Sequence, residues 1–402
     1  MKRRMTGLFV IFKREVGIIL KDIDIRTIIL IAPLFYSFFY AAIYFNKTER
    51  DVPVTVIDMD KSTLSRKLIK NIDSDEFLKV TGETSGYLSA RDLIYRENVQ
   101  AAVIIPKGFE SSVKSHQGTS IKLLINSTRF LVSNDINKAM NEVILNFNNE
   151  IKINTLQQNG YNYNQAVIIS EPLNEEIKFL FNPSETYGDF LIPGILVLIL
   201  QQTLLMGISE SVSRERELGT FRDLFNKAKN SVSAAIIGKS MFYLMLFGSY
   251  ALLFFTLHFN LFSINQKGNW LLIFFMTFLF LLPVICFGFF IASFITKKLL
   301  TLQIMALSSY PAFFLSGYSW PQISMPWLLQ VISQFIPFTP FINAFTRITQ
   351  MGAGLYDVIP QILHLVILSL IGILAVYFRM KYVLTHESSD SAFPAIEQNL
   401  SM

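Results

Sequence analysis

One cysteine, four histidines and a charged fraction of only 16% are the scarcities of this 402-residue chain. The cysteine, Cys286, lies inside an apolar run, so an intrachain disulfide and a CxxC metal site are both excluded. His116, His258, His364 and His386 show neither HExxH nor any paired spacing, which leaves no zinc-protease pattern, and GxSxG is absent too. A soluble domain carries about 25% charged residues. This chain is instead 51% hydrophobic, with 37 Phe. Its net charge of +5 would suit nucleic acid, but in so apolar a chain a basic excess serves to orient helices. No nucleic-acid partner is expected.

What is present is a set of long apolar runs. Six could cross roughly 30 Å of hydrocarbon at about 1.5 Å per residue: 27–45, 188–208, 241–263, 270–296, 299–319 and 358–378. The expected class is therefore a polytopic α-helical membrane protein. The start, "MKRRMTGLFVIFKREVGIILKD", has a signal-like basic head, but Lys13, Arg14 and Glu15 interrupt the apolar part, so no cleavable signal is read there. Apolar and basic positions alternate over residues 5–20, and segment 1–26 reads as an interfacial helix, with an extension of the first span as the competing reading.

Seventeen Lys and Arg gather on one side of this topology, whereas the short connections on the other side carry only Lys267 and Arg347. Both termini are expected in the cytoplasm, with a tail over 379–402 and a charged cytoplasmic loop over 209–240. Segment 46–187 then lies outside. Its strand-like "VPVTVI" and "VQAAVIIP" alternate with helical stretches and predict a small α/β domain. Apolar residues from Ile136 to Ile151 keep helical spacing and predict a long amphipathic helix that leans on this domain or leads back to the membrane. Between spans five and six, Pro321, Pro326, Pro337 and Pro340 break an apolar segment. Proline blocks helix continuity, so 320–345 reads as re-entrant half-helices rather than one crossing, against an ordinary surface loop.

Motifs suggestive of chemistry mostly fail on spacing. "SAAIIGKS" lacks the leading Gly of a P-loop, with Ser233 in its place, and no strand precedes it; Gly238 and Lys239 read as the cytoplasmic foot of span three. "VTVIDMDKS" mimics a phosphatase nucleophile loop but has no second acidic pair, and Thr63 and Ile69 spoil an EF-hand. Asp58, Asp60 and Ser62 then read as caps of the following helix. No catalytic, cofactor-binding or metal-binding residue is expected. His364 lies in the last span, where an interhelical hydrogen bond is favoured over a proton relay.

The stretch Arg214–Ser240 is different. Thr220 can cap a short helix, with Asp223 completing a near capping box, and Phe221, Leu224 and Phe225 share one face away from Arg222. Such a helix either fits a partner's groove or is a basic turn facing headgroups.

"SRERELGTFRDLF…IIGKSMFY" resembles the signature of class 2 ABC exporter permeases. The resemblance extends through "FKREVGIILKD", "VIDMDKSTLSRKL", "ENVQAAVIIPKGF", "FNPSETYGDFLIPGI" and "SGYSWPQISMP…FIPFTPFINAFTRI", in the family's order. It departs at "NKAKNS", where the family often has Pro. The resemblance implies an exporter's membrane subunit in the bacterial cytoplasmic (inner) membrane. It would pair with itself or a paralogue and recruit separate ABC ATPase subunits that hold ATP and Mg, with a periplasmic adaptor as a further partner. It also implies that Thr220, Phe221, Arg222, Leu224 and Phe225 form a coupling helix seated in the ATPase. Arg214, Glu215, Arg216, Glu217 and Gly219 would form a gate helix, and Pro321, Pro326, Pro337 and Pro340 would line or cap the exit. The Phe-rich fourth span suits an amphiphilic or lipid-like cargo, although Phe facing lipid is the commoner explanation. A membrane-anchored surface receptor or assembly protein acting through its outer domain is the alternative. An intramembrane enzyme would need a polar constellation that the spans do not show.

Overall fold

The computed structural model describes residues 2–45, 49–173, 177–183 and 185–390. Of the expected tail, positions 391–402 lie outside the described residues, as do the side chains of Lys2, Arg3 and Arg4. The chain divides into two compact units, one of residues 48–178 and one of residues 1–47 with 179–402.

The larger unit begins with an amphipathic helix, Lys2–Lys21. Asp22 then leaves the helical region (φ −91°, ψ 117°) and its carboxylate accepts the Asp24 N–H at 3.1 Å, capping the next helix. The amphipathic stretch is thus a helix in its own right rather than an extension of the first span.

Among the described residues, six helices are long and apolar enough to cross a membrane: Ile23–Ile43, Tyr187–Glu217, Val232–Leu261, Trp270–Ala292, Lys298–Leu315 and Tyr356–Val383. They are called the first to sixth spans below. The second departs from its expected bounds. It runs unbroken for 31 residues, so Arg214–Glu217 is not part of a loop but its last turn. Nothing in that sequence stops a helix before Gly219, which adopts φ +64°. Thr220 N–H then donates to Glu215 O at 2.9 Å and Gly219 N–H to Arg216 O at 3.1 Å, the wrapped C-terminus that a left-handed residue permits. Ser231 caps the third span on Ala234 N–H, starting it nine residues before the expected position 241.

The proline-rich segment forms two short helices, Trp327–Gln334 and Phe338–Thr349, bent by 82°. Pro326 and Pro337 sit at their N-caps and Pro340 in the second helix's first turn, where a missing N–H costs least. Pro321 likewise precedes the single turn Gln322–Ser324. The second half-helix is buried, with Phe341 stacked on Phe280 of the fourth span at 4.1 Å. The first half-helix keeps Trp327, Val331 and Phe335 exposed.

The smaller unit is the α/β domain. Its strands β1 (Val52–Asp58), β2 (Leu78–Glu83), β3 (Ala101–Ile105) and β4 (Lys122–Ile125) lie in the order β2-β1-β3-β4. β1 pairs in parallel with β2 and β3, while β4 is antiparallel. Helix Phe130–Gln158 buries Ile136, Met140, Val143 and Phe147 in the same core as Val54, Val56 and Val103, so it does lean on the domain. A further helix, Tyr163–Ser170, was not expected; Asn162 and Gln165 close a capping box at its start.

Ser62 caps the helix after β1 as read, accepting the Ser65 N–H at 3.1 Å, whereas Asp58 holds the turn before it, accepting the Asp60 and Lys61 N–H groups at 2.9 Å and the Ser65 hydroxyl at 2.7 Å. Asp60 does something else. It accepts the N–H groups of Gly108 and Glu110 at 2.7 and 3.0 Å, capping a helix fifty residues away in sequence. A hydrogen bond from Ser62 and the Glu110 and Gly108 amides hold the Asp60 carboxyl below its ordinary range. A folded-state pKa below the unfolded one adds stability above the unfolded value of about 4, and that stability is lost as pH falls through the folded value. Asp60→Asn is therefore expected to weaken this unit at neutral pH and to flatten its acid unfolding, read as hydrogen-exchange protection of residues 101–114.

Candidate functional site

Three helices each turn polar side chains inward along a buried i, i+4 row. On the amphipathic helix the row is Ile11, Glu15, Ile19; on the third span, Ala235, Lys239, Tyr243, Phe247; on the second, Gly207, Ser211, Glu215. Residues four apart share a face, so packing these rows together brings the polar groups to one point. Lys239 and Glu15 are both fully buried, 0% exposed, with Nζ 2.7 Å from Oε1. Ser211 Oγ donates to Glu15 at 2.8 Å, and Lys239 donates to Ser211 at 2.7 Å. Arg14 forms a two-pronged pair with Glu215, one prong at 2.9 Å. Burial pulls the Arg14 pKa down, but the Glu215 hydrogen bond and charge more than offset this and hold it above the ordinary value. Thr220 Oγ1 donates to Glu215 at 2.5 Å. Two cations meet two carboxylates, and every member has partners, the condition under which a buried ionic network is tolerated.

Gly238 lets this happen. A Cβ there would stand 2.9 Å from both Ile11 Cβ and Leu8 O, so only glycine allows the amphipathic helix to lie this close to the third span. Gly238→Leu is expected to cost about 1–3 kcal/mol through overpacking. It should lower the thermal midpoint and expose residues 8–15 to exchange.

The four charges Arg214 to Glu217 radiate from one helix turn at about 100° per residue, and each reaches a different neighbour. Arg214 pairs with Asp22, ahead of the first span, at 3.4 Å. Glu215 takes Arg14 and Thr220 as above. Arg216 donates to Ser293 O at the end of the fourth span, which Arg379 of the sixth span also reaches, at 3.1 Å. Glu217 accepts Lys298 N–H at 2.8 Å, at the start of the fifth. One turn of the second span is thus tied to the amphipathic helix, to Asp22 ahead of the first span, and to the facing ends of the fourth and fifth spans. Beside it, the carboxylates of Asp22, Asp24 and Glu210 lie within 4.8 Å of one another, close enough for a cation. Lys298 Nζ already faces them, 2.7 Å from Asp24 and 3.3 Å from Glu210.

The short helix Phe221–Lys227 follows directly. Contrary to expectation, Thr220 makes no side-chain cap, because its hydroxyl is taken by Glu215. Phe221, Leu224 and Phe225 are not presented either; they are 6%, 1% and 4% exposed, packed into this chain's own core against the amphipathic helix and the third and sixth spans. Leaving each in water would forfeit about 1.5–3 kcal/mol of apolar burial. The face left outward is Arg222, Asp223, Asn226 and Lys227, flanked by exposed Leu218. Glu15, Ser211 and Lys239 carry the buried centre, and the sequence reading did not single them out as a site. "GKS" thus contains an ion-pair lysine rather than a phosphate loop.

This arrangement, a charged hub and a short exposed helix joining two spans, stands beside the sequence signature of Arg214–Phe225. The profile of a family described as ABC-2 family transporter protein matches residues 25–378. The chain belongs to the ABC-2 transporter family. It is 28% identical over 205 residues to the probable multidrug ABC transporter permease YbhR of Escherichia coli K12, covering 50% of this chain and 54% of that protein. With the probable multidrug permease YbhS of the same organism the figures are 24% over 223 residues, 55% and 57%. The chain therefore matches only a little over half the length of these two relatives. The inner membrane transport permease YhhJ of E. coli K12 aligns more fully, at 24% over 383 residues, 90% of this chain and 94% of that protein. These relatives carry permease names, and the six candidate spans fit the multipass membrane chain of that family.

Proposed function

We propose that this chain is the membrane-spanning subunit of an ATP-driven exporter of the bacterial cytoplasmic membrane. It pairs with itself or a paralogue, and ATP and Mg are held by separate ABC ATPase subunits. Both termini and the short helix Phe221–Lys227 face the cytoplasm, where basic residues accumulate. The ATPase grips the outward polar face, Arg222, Asp223, Asn226 and Lys227, while the buried face anchors the helix in the spans.

The observation that carries this reading is that Arg214–Glu217 contact four separate partners one turn before that helix. A push on the short helix therefore reaches the amphipathic helix and the ends of the first, fourth and fifth spans through one helix turn, and shielded ion pairs can exchange between two packings. Moving such an equilibrium from 1:99 to 99:1 needs about 5.5 kcal/mol of differential binding. YbhR and YbhS are named probable multidrug permeases, and we extend a drug-like cargo to this chain, of amphiphilic character in view of its Phe-rich fourth span. The fourth span supports this only in part, since Phe280 and Phe289 pack inside while Phe275, Phe278 and Phe287 face out.

Affinity purification from native membranes should bring down a P-loop ATPase, and vesicles holding both chains should accumulate a fluorescent amphiphile only with ATP. Recovery of the intact chain with no ATPase, together with loss of function on outer-unit deletion alone, would favour the anchored-receptor alternative.

A further inference from the structure

Between the broken helix pair and the sixth span lies a polar pocket of about 140 Å³, lined chiefly by Gln322, Gln334, Thr339, Asn343, Gln361 and His364. At about 30 Å³ per water it is the size of some five waters, or of one small polar group. Two of its atoms are buried without a hydrogen-bond partner: Thr339 Oγ1, on a residue 2% exposed, and Gln361 Oε1. Such atoms cost about 1–3 kcal/mol each unless something satisfies them. Two others are oriented by neighbours. His364 donates Nε2–H to the Gln334 carbonyl at 2.7 Å, and Asn343 Nδ2 donates to Thr339 O at 3.0 Å. Those bonds set each side chain's remaining polar atom apart from its backbone partner.

None of the pocket-lining residues is Asp, Glu, Lys or Arg. No counter-charge is available for a phosphate or a bare ammonium, whose transfer into such a site would be expensive. The amides and the hydroxyl can both donate and accept, which matches a group that does both, the alcohol. The surroundings are apolar: Phe335 and Leu363, each adjacent in sequence to a lining residue, are exposed, as are Trp327 and Ile367. A ligand there has an apolar portion outside the pocket and a polar one within it.

We propose that this pocket binds the uncharged, hydroxyl-bearing headgroup of a membrane amphiphile, such as a glyceryl or monoglycosyl lipid, with Thr339, Asn343 and Gln361 as the recognising side chains. The site rests on the membrane placement of the broken pair and not on ATPase coupling, and binding alone is its readout, so its failure leaves the exporter reading standing.

The test uses the full chain in phosphatidylcholine nanodiscs with photoactivatable lipids of one tail and three headgroups: monoglucosyl, phosphocholine and phosphoserine. The glucosyl lipid should label peptides containing residues 334–343 and 359–367 at least tenfold more than either charged lipid, and unlabelled glucosyl lipid should compete. Free glucose at matched concentration should not compete; if it does, the ligand is a soluble sugar and the amphiphile assignment is overturned. Thr339→Val with Gln361→Met should remove the preference while leaving labelling elsewhere unchanged. Equal labelling by all three headgroups in the wild-type chain overturns the proposal whether or not the variant folds.

Discussion

Replacing Lys239 with methionine should be among the most damaging single changes in the chain, costing about 3–5 kcal/mol, because it strands Glu15 as a buried charge with its main partner gone. Both groups are fully buried, and the bond between them joins positions 224 apart in sequence. The cost falls on the docking of the amphipathic helix against the second and third spans. It should appear as a lowered thermal midpoint in nanodiscs and as protease access near residue 13. Glu15→Gln alone should also destabilise, by leaving the ammonium to Ser211 and the more distant Glu215 at 3.5 Å. The double variant, Glu15→Gln with Lys239→Met, removes both charges and should cost clearly less than the two singles summed. Simple additivity would show that the pair is not coupled.

The second large effect separates the two faces of the short helix. Phe221→Asp places a charge in the core and should cost more than about 4 kcal/mol, destroying the fold rather than a contact. Arg222→Glu with Lys227→Glu changes only exposed positions. Lys227 loses an i, i+4 pair with Asp223 at 2.8 Å, worth about 0.3–0.5 kcal/mol. The chain should therefore stay folded while recovery of the ATPase falls about tenfold, the equivalent of 1.4 kcal/mol. If instead the charge-reversed chain retains its ATPase in full, the outward face is not the contact.

The spans, the α/β unit and the proline-broken pair were legible because each rests on a local rule: an apolar run, an alternation, or a missing N–H. The hub was not legible. Lys13, Arg14 and Glu15 read as an interruption of an apolar segment, yet Glu15 stands four residues from Ile11 and four from Ile19, on the buried row. Lys239 read as the foot of a span, although Ala235, Tyr243 and Phe247 mark its row as internal. Charge in a sequence is ordinarily taken as a sign of water, and the partner that makes a buried charge affordable lies far along the chain. The short helix failed for the opposite reason. Its aromatic stripe was visible, but an amphipathic stripe does not say whether it faces its own protein or another. The helix Tyr163–Ser170 could have been found from Asn162 and Gln165 alone.

The central claim is that the outward face of Phe221–Lys227 meets an ATPase carried on another chain. A photocross-linking residue at Asn226, in the full-length protein in living cells, tests this most directly. The account predicts a covalent adduct with a P-loop ATPase, absent when the same residue replaces buried Leu224. An adduct formed only with lipid, or none with any ATPase while the protein remains folded in the membrane, would contradict it.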